Sequence, residues 1–171
     1  MTRPLTVAAA LLLAVAVLFG VLGLVAIGGS GGSRPLSPAI TAALRRAQPA
    51  APPFSGRRGI RLAIGGRCLG LVVSLSVDER STGLRGVRDL GPYDGMVFVD
   101  GSDSRTAFTM EDTLIPLDLG LYDADGRPIE RHGLVPCPPS TPCPVTTPRR
   151  AYRLAVEAPS GSLPAGALTG C

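Results

Sequence analysis

The sequence predicts a mostly β domain with one short helix, arranged as a small barrel-like or curled antiparallel sheet behind an N-terminal signal or transmembrane helix. Three observations support this fold class. An uncharged apolar run occupies residues 5–27. After residue 58, apolar and polar side chains alternate with a period of two, which is typical of half-buried strands. Glycine and Asp-Gly pairs separate these stretches, as expected of hairpin turns.

The N-terminal run from Leu5 to Ile27 contains 23 residues and no charge. At about 1.5 Å per helical residue, this length crosses a hydrocarbon core of about 30 Å. Its length favours a retained anchor, whereas the small residues Ala26, Gly28 and Gly29 also admit a signal-peptide cleavage site. The expected partner of this segment is the cytoplasmic membrane of a bacterium, and both fates stay open.

The charges flanking this run give conflicting indications of orientation. Arg34, Arg45 and Arg46 follow the run, so a positive-inside count favours a cytoplasmic domain. However, a short charged head before the first apolar segment is typical of an export signal. The cysteines also fit an oxidising compartment. We therefore expect an extracytoplasmic domain, anchored to the membrane or secreted if the signal is cleaved.

Residues 28–57 have the composition of a linker, with a Gly/Ser stretch followed by Pro and Ala. A short helix is predicted within it, because Ser37 is a good N-cap and Pro38 suits the first helical position. Its apolar residues follow helical spacing at Ile40, Ala43, Leu44 and Ala47. A disordered spacer is the alternative.

The remaining residues, 58–171, form the predicted β domain. Gly65-Gly66 is expected to turn a first hairpin, and Asp125-Gly126 a later one. Asp123 and Asp125 lack the further ligands of a calcium loop, which favours the turn. Five to seven short strands are expected, including residues 60–64, 71–77, 96–99, 117–121 and 152–156. Closing them into a barrel would hide the strand edges.

Composition argues against a nucleic-acid partner. All 17 basic residues are Arg, and the net charge is +4. Aromatic residues make up only 4% of the chain and Trp is absent, so the stacking platforms of single-strand binders are missing. Charge alone identifies no other partner, and nothing in the sequence indicates a cofactor.

The four cysteines all follow the apolar run and predict disulfides. Cys137 and Cys143 enclose five residues, enough for a turn that brings their Cα atoms within bonding range. Cys68 and Cys171 remain as a possible second bridge. A redox pair would favour the closer C-x-x-C spacing, and a zinc site would need more than the single histidine, His132.

Three separated motifs resemble the domain of unknown function 192 (DUF192) family. The core motif matches residues 108–118 followed by 123–127, and the first half matches 80–84 followed by 95–99. Cys137 and Cys143, with their flanking prolines, are similar to the family's cysteine pair. Together these motifs cover roughly residues 60–158. The resemblance implies a compact, mostly β domain, often behind an export signal, and it implies no reaction.

The sequence departs from this family pattern at three positions. Thr109, Glu111 and Asp112 stand where the family usually has Trp and then Lys-Asn. An aromatic group and a positive charge are thereby replaced by a hydroxyl and two carboxylates. Any ligand selected by those side chains is expected to differ.

The candidate ligand-binding residues are Arg80, Thr113, Asp118, Glu111 and Asp112. Arg80 is expected either to pair with a carboxylate such as Asp118 or to bind an anionic ligand. The three carboxylates could hold a divalent metal only if they converged on one point. Because no supporting base lies nearby in the sequence, we favour a non-enzymatic binding or accessory module without a metal site. A metal-assisted hydrolytic enzyme is the alternative.

Overall fold

The computed structural model describes residues 34–137 and 142–171. The apolar run from Leu5 to Ile27 lies outside the described residues. Within the described part, no helix is both long and apolar enough to cross a membrane. The compact unit extends from Ser33 to Cys171 and therefore includes much of the segment assigned to the linker.

Two helices and ten strands lie in residues 34–137 and 142–171. The helices are α1 (Pro38–Arg45) and α2 (Val77–Thr82). The longer strands are β2 (Arg58–Ile64), β3 (Arg67–Ser74), β4 (Gly95–Ser104), β6 (Leu117–Tyr122), β7 (Pro128–Leu134) and β9 (Tyr152–Pro159). The short strands are β1 (Gln48–Pro49), β5 (Phe108–Thr109), β8 (Val145–Thr146) and β10 (Leu168–Gly170).

One eight-stranded sheet runs in the order β1-β2-β3-β4-β9-β6-β7, and β10 pairs with β2 beside β1. The β3–β4 pair is parallel and the other pairs of this sheet are antiparallel. The predicted curled, mostly β architecture is confirmed, but the barrel-like closure is wrong for the described residues. A parallel pair needs a crossover, here through α2, so the strands do not follow the simple meander that would close on itself.

Helix α1 forms as its sequence predicts. The Ser37 side chain accepts a hydrogen bond from the Ile40 amide, and Pro38 occupies the first helical position. Ile40 is fully buried, and Ala43 and Leu44 pack against the same core cluster. Residues within the segment assigned to the linker thus contribute to the core of the domain.

A second helix, α2, covers residues 78–82, where the polar sequence with Asp78 as a possible N-cap predicts a short helical turn, but it begins one residue earlier, at the end of a predicted strand. Val77 was expected to continue the alternation of residues 71–77, but it begins α2 and is 71% exposed. The Ser76 side chain accepts from the Glu79 amide, and Glu79 accepts in return from the Ser76 amide. This reciprocal capping box favours a helix start over strand continuation.

The sheet is the middle layer of the domain, with an apolar cluster on each face. Leu62, Leu71 and Val156 belong to the cluster beneath α1, whereas Met96 and Leu119 belong to the cluster on the other face. Strand β9 is buried along almost its whole length because it lies between β4 and β6. Both of its faces therefore need side chains suited to an interior.

Candidate functional site

A cavity of about 360 Å³ lies between α2, β4, β9 and the segment 106–113. This volume is within the usual range for small-molecule sites. We call it the α2 pocket. The charged residues of its lining are Arg80, Arg85, Asp100 and Glu157, and Thr113 is one of its polar residues.

The local sequence places Arg80 in this pocket. The Ser76–Glu79 capping box starts α2 only four residues earlier, and the backbone amides of Ser76 and Leu75 lower the pKa of Glu79 by hydrogen bonding. Gly83 ends the helix with a positive φ of 49°. A Cβ atom at Gly83 would lie 3.6 Å from the Phe98 ring. A contact at that distance is ordinary, so glycine is favoured here by the positive φ that reverses the chain and not by lack of space.

The Arg80 guanidinium is held by groups of the protein itself. Its Nε lies 3.2 Å from Asp100 Oδ1, and Nη1 donates to the carbonyl oxygens of Leu75 and Val99. Burial raises the pKa of Asp100, and the positive charge of Arg80 partly opposes this rise. Arg80 therefore braces α2 against β4, with Asp100 as its carboxylate partner.

Asp118 lies away from this pocket and pairs with Arg131 instead. Its Oδ2 accepts from Arg131 Nη2 at 2.9 Å and from the Gly161 amide at 3.0 Å. Asp118 is 8% exposed, and Arg131 also donates to the Leu163 carbonyl. The proposed Arg80–Asp118 pair is thus replaced by two separate pairs, because the alternation of β6 turns Asp118 away from Leu117 and Leu119.

Glu111 and Asp112 lie at the surface beside Arg85. The Arg85 guanidinium is 3.0 Å from Glu111 Oε2 and 3.5 Å from Asp112 Oδ2. Asp112 has a φ of 55°, a conformation that Asn and Asp tolerate better than most residues. The three candidate carboxylates do not converge. Over residues 34–137 and 142–171, no group of three acidic, His or Cys side chains could hold a metal ion.

Thr113 is the second predicted site residue that lines the α2 pocket. It is 7% exposed and forms an isolated bridge with Arg85. The structure thus brings Arg80 and Thr113 to one cavity. It places Asp118 elsewhere and leaves Glu111 and Asp112 outside the lining.

Glu157 is the pocket residue that the sequence reasoning missed. It lies on β9, opposite Met96 of β4 and Leu119 of β6, and is 7% exposed. Its carboxyl group has no hydrogen-bond or ion-pair partner among the described residues. Burial raises the pKa of Glu157 to about 7. The signal available in the sequence was a single carboxylate within the otherwise apolar stretch 154–158. The structure shows that this strand is buried on both faces.

Three aromatic rings form part of the pocket wall. The centroids of Phe98 and Phe108 are 6.3 Å apart, and those of Phe108 and Tyr152 are 5.6 Å apart. The Tyr152 hydroxyl donates to the Thr106 carbonyl at 3.0 Å. Burial, followed by the charge of Asp100, raises the pKa of Tyr152 to about 12. This hydroxyl therefore stays protonated at neutral pH.

The four cysteines lie away from the pocket lining, in two pairs. Cys68 bonds to Cys171 with a Cα–Cα distance of 5.8 Å, and Cys137 bonds to Cys143 with a distance of 5.3 Å. Both distances suit a disulfide. The first pair ties the C-terminus to β3, and the second closes a short loop.

The chemistry available to this pocket follows from Glu157. A buried carboxyl can accept hydrogen bonds from a ligand or transfer a proton. A catalytic acid or base is normally oriented by another polar group. No side chain in the described part of the protein holds Glu157 in this way.

Comparisons with known proteins agree with the fold. The family model of DUF192, described as "Uncharacterized ACR", matches residues 61–169. A crystal structure of a protein of unknown function from Novosphingobium aromaticivorans DSM 12444 has a TM-score of 0.57 and 23% identity. That alignment covers 70% of this chain and 86% of the other.

A second similar structure is a protein from Sinorhizobium meliloti 1021 described as a "putative transcription regulator". Its TM-score is 0.54 with 26% identity, covering 67% of this chain and 94% of that chain. No curated protein matches the sequence. Because the family model spans more than half of the 171 residues, the chain belongs to the DUF192 family.

Proposed function

We propose that this domain is a non-enzymatic module that binds a small ligand in the α2 pocket. The observation that supports this proposal most strongly is the position of Glu157. Its buried carboxyl group lines the cavity and has no hydrogen-bond partner among the described residues. Buried polar groups are almost always hydrogen-bonded, so a ligand donor is the natural complement. The aromatic wall supplies apolar contact area around that polar point.

The proposal places the domain outside the cytoplasmic membrane, anchored by residues 5–27 or secreted after their cleavage. The length of that apolar run supports attachment or export. The two cysteine pairs support an oxidising compartment, where disulfides persist.

Metal-assisted hydrolysis is less well supported than binding. It required Glu111, Asp112 and Asp118 to converge, but Arg85 binds the first two and Arg131 binds the third. Each carboxylate is therefore already used in a separate ion pair. A shared metal would have to break at least two of these pairs.

A panel of three probes tests the proposed binding function. Benzylammonium, benzyl alcohol and benzoate share a ring and differ in charge, and each is small enough for the cavity. Backbone amide resonances are followed by NMR while each probe is added to the domain. At least one probe is expected to shift the resonances of Gly83, Thr106 and Thr113 saturably, because these residues line the pocket.

Gly133 on β7 serves as the internal control, since it is separated from β9 by β6 and does not line the pocket. Its amide resonance should stay in place. If none of the three probes produces a saturable shift confined to the pocket, the domain is not the proposed binding module.

A further inference from the structure

We infer that the α2 pocket takes an organic ammonium ion whose N–H groups donate to the Glu157 carboxylate and whose hydrocarbon part packs on Phe98, Phe108 and Tyr152. This inference rests on the proposed binding function and names the chemical class of its ligand. It is based on the position of Glu157, which has no partner among the described residues, whereas the other charged residues that line the pocket are paired.

Glu157 lies between apolar residues of the two neighbouring strands. Its cross-strand neighbours, Met96 and Leu119, are both fully buried. Neither side chain carries an oxygen or an N–H group, so neither can donate a hydrogen bond to the carboxylate. An ionised carboxylate in such surroundings loses hydration without compensation. A ligand with positively charged donors supplies both the charge and the hydrogen bonds.

The positive charges that line the pocket are already paired with carboxylates. Arg80 of α2 is matched by Asp100 of β4, and Arg85 is matched by Glu111 and Asp112. Arg153, the other charged residue of β9, donates to the Arg34 carbonyl and does not line the cavity. Both arginines of the lining therefore have carboxylate partners.

Of the four charged residues that line the cavity, Glu157 is the one without an ion-pair partner among the described residues. Arg153, outside the lining, also has no carboxylate partner there, and its buried Nε makes no hydrogen bond. The charge of Arg85 is offset by Glu111 and Asp112, which are exposed and lie outside the pocket lining. An anionic ligand would face Glu157 and Asp100, and the two arginines that line the pocket are already paired with carboxylates. A cationic ligand is favoured by both features.

The aromatic wall of the pocket suits the hydrocarbon part of such a ligand. Phe98 is 5% exposed and Tyr152 is 3% exposed, so their rings form a fixed, largely apolar wall. An ammonium group near aromatic faces gains additional electrostatic attraction. The cavity of about 360 Å³ has room for one ring or a short chain beside the ammonium group. Primary or secondary amines fit this description.

Binding must also release a proton when Glu157 begins in its neutral form. The ammonium ion keeps its protons, and the Glu157 carboxyl gives one proton to solvent. Because burial raises the pKa of Glu157 to about 7, this cost applies below neutral pH and disappears above it. Affinity for an ammonium ion is therefore expected to be about tenfold weaker at pH 6 than at pH 8.

Titration calorimetry with benzylammonium chloride tests this inference on the intact domain at both pH values. The wild-type domain should bind it saturably at pH 8, and Glu157→Gln should weaken binding at least tenfold. Glu111→Gln is the matched control, because it removes the same charge from an exposed position that already shares Arg85 with Asp112. It should change the dissociation constant by no more than about twofold.

Circular dichroism of both variants establishes that they are folded before binding is compared. Equal binding of benzylammonium to Glu157→Gln and wild type would overturn the assignment. Binding of benzyl alcohol or benzoate without binding of benzylammonium would also overturn it, while leaving the proposed binding function in place. Absence of binding by all three probes would remove both.

Discussion

The free energy of unfolding of the wild-type domain is expected to fall relative to Glu157→Gln as the pH rises from 5 to 8. The pKa of Glu157 is about 7 in the folded protein, against 4.5 for an unperturbed group. Between these values the folded state keeps a proton that the unfolded state has lost. Stability is therefore fully present below about pH 4.5, decreases up to about pH 7, and then levels off.

Relative to Glu157→Gln, the wild-type domain is expected to lose about 3 kcal/mol of unfolding free energy over this pH range, because each pKa unit corresponds to about 1.4 kcal/mol. Guanidinium unfolding of both proteins at pH 5, 6, 7 and 8 measures it. The decisive quantity is how the difference in unfolding free energy between the two proteins changes with pH, because any offset from the introduced amide is independent of pH. Glu111→Gln should run parallel to wild type. Parallel curves for wild type and Glu157→Gln would show that Glu157 ionises freely.

Removing the Cys68–Cys171 bridge is expected to destabilise the domain by about 4–5 kcal/mol. This disulfide joins residues separated by 103 positions, and its loss restores a large amount of chain entropy to the unfolded state. The double variant Cys68→Ser, Cys171→Ser measures the effect by chemical unfolding. Both cysteines are exposed, so the introduced hydroxyl groups carry no burial penalty.

The pair Cys137→Ser, Cys143→Ser is the matched control for this experiment. Its bridge spans only six positions, so the same argument predicts a loss of about 2 kcal/mol. Intact mass after alkylation should find no free thiol in protein taken from its native cells. Equal losses for the two double variants would contradict the loop-length argument, and free thiols would contradict the outer location.

Local sequence patterns predicted the individual elements well. Alternating residues identified β2, β6 and β9, and the Gly65-Gly66 and Asp125-Gly126 pairs marked two hairpin turns that are present. Ser37 and Pro38 likewise identified the start of α1. These features depend on short-range backbone preferences, which a single sequence carries.

The arrangement of the strands was less predictable. The parallel β3–β4 pair depends on α2, whose capping box at Ser76 and Glu79 lies inside a stretch that continues strand alternation to Val77. Strand β9 lies between β4 and β6, which precede it by many residues in the chain. Such long-range pairing is not encoded by local periodicity, and the expected barrel-like closure failed for that reason.

The site was only partly predictable, for the same reason. Arg80 and Thr113 were among the candidate ligand-binding residues, and both line the α2 pocket. The partners of Arg80 and Asp118 come from other strands and could not be identified from spacing. Glu157 looked like an outward residue of an alternating strand. Its burial depends on β9 being central, which only the sheet order establishes.

The most direct test of the account is a pH titration of the Glu157 side-chain carboxyl by carbon-13 NMR, with and without benzylammonium. The midpoint is expected near pH 7 in the free domain, because burial raises the pKa of this group to about 7. The ammonium ion should lower that midpoint, since it stabilises the ionised carboxylate. A midpoint near pH 4.5 in the free domain, unchanged by benzylammonium, would contradict the account.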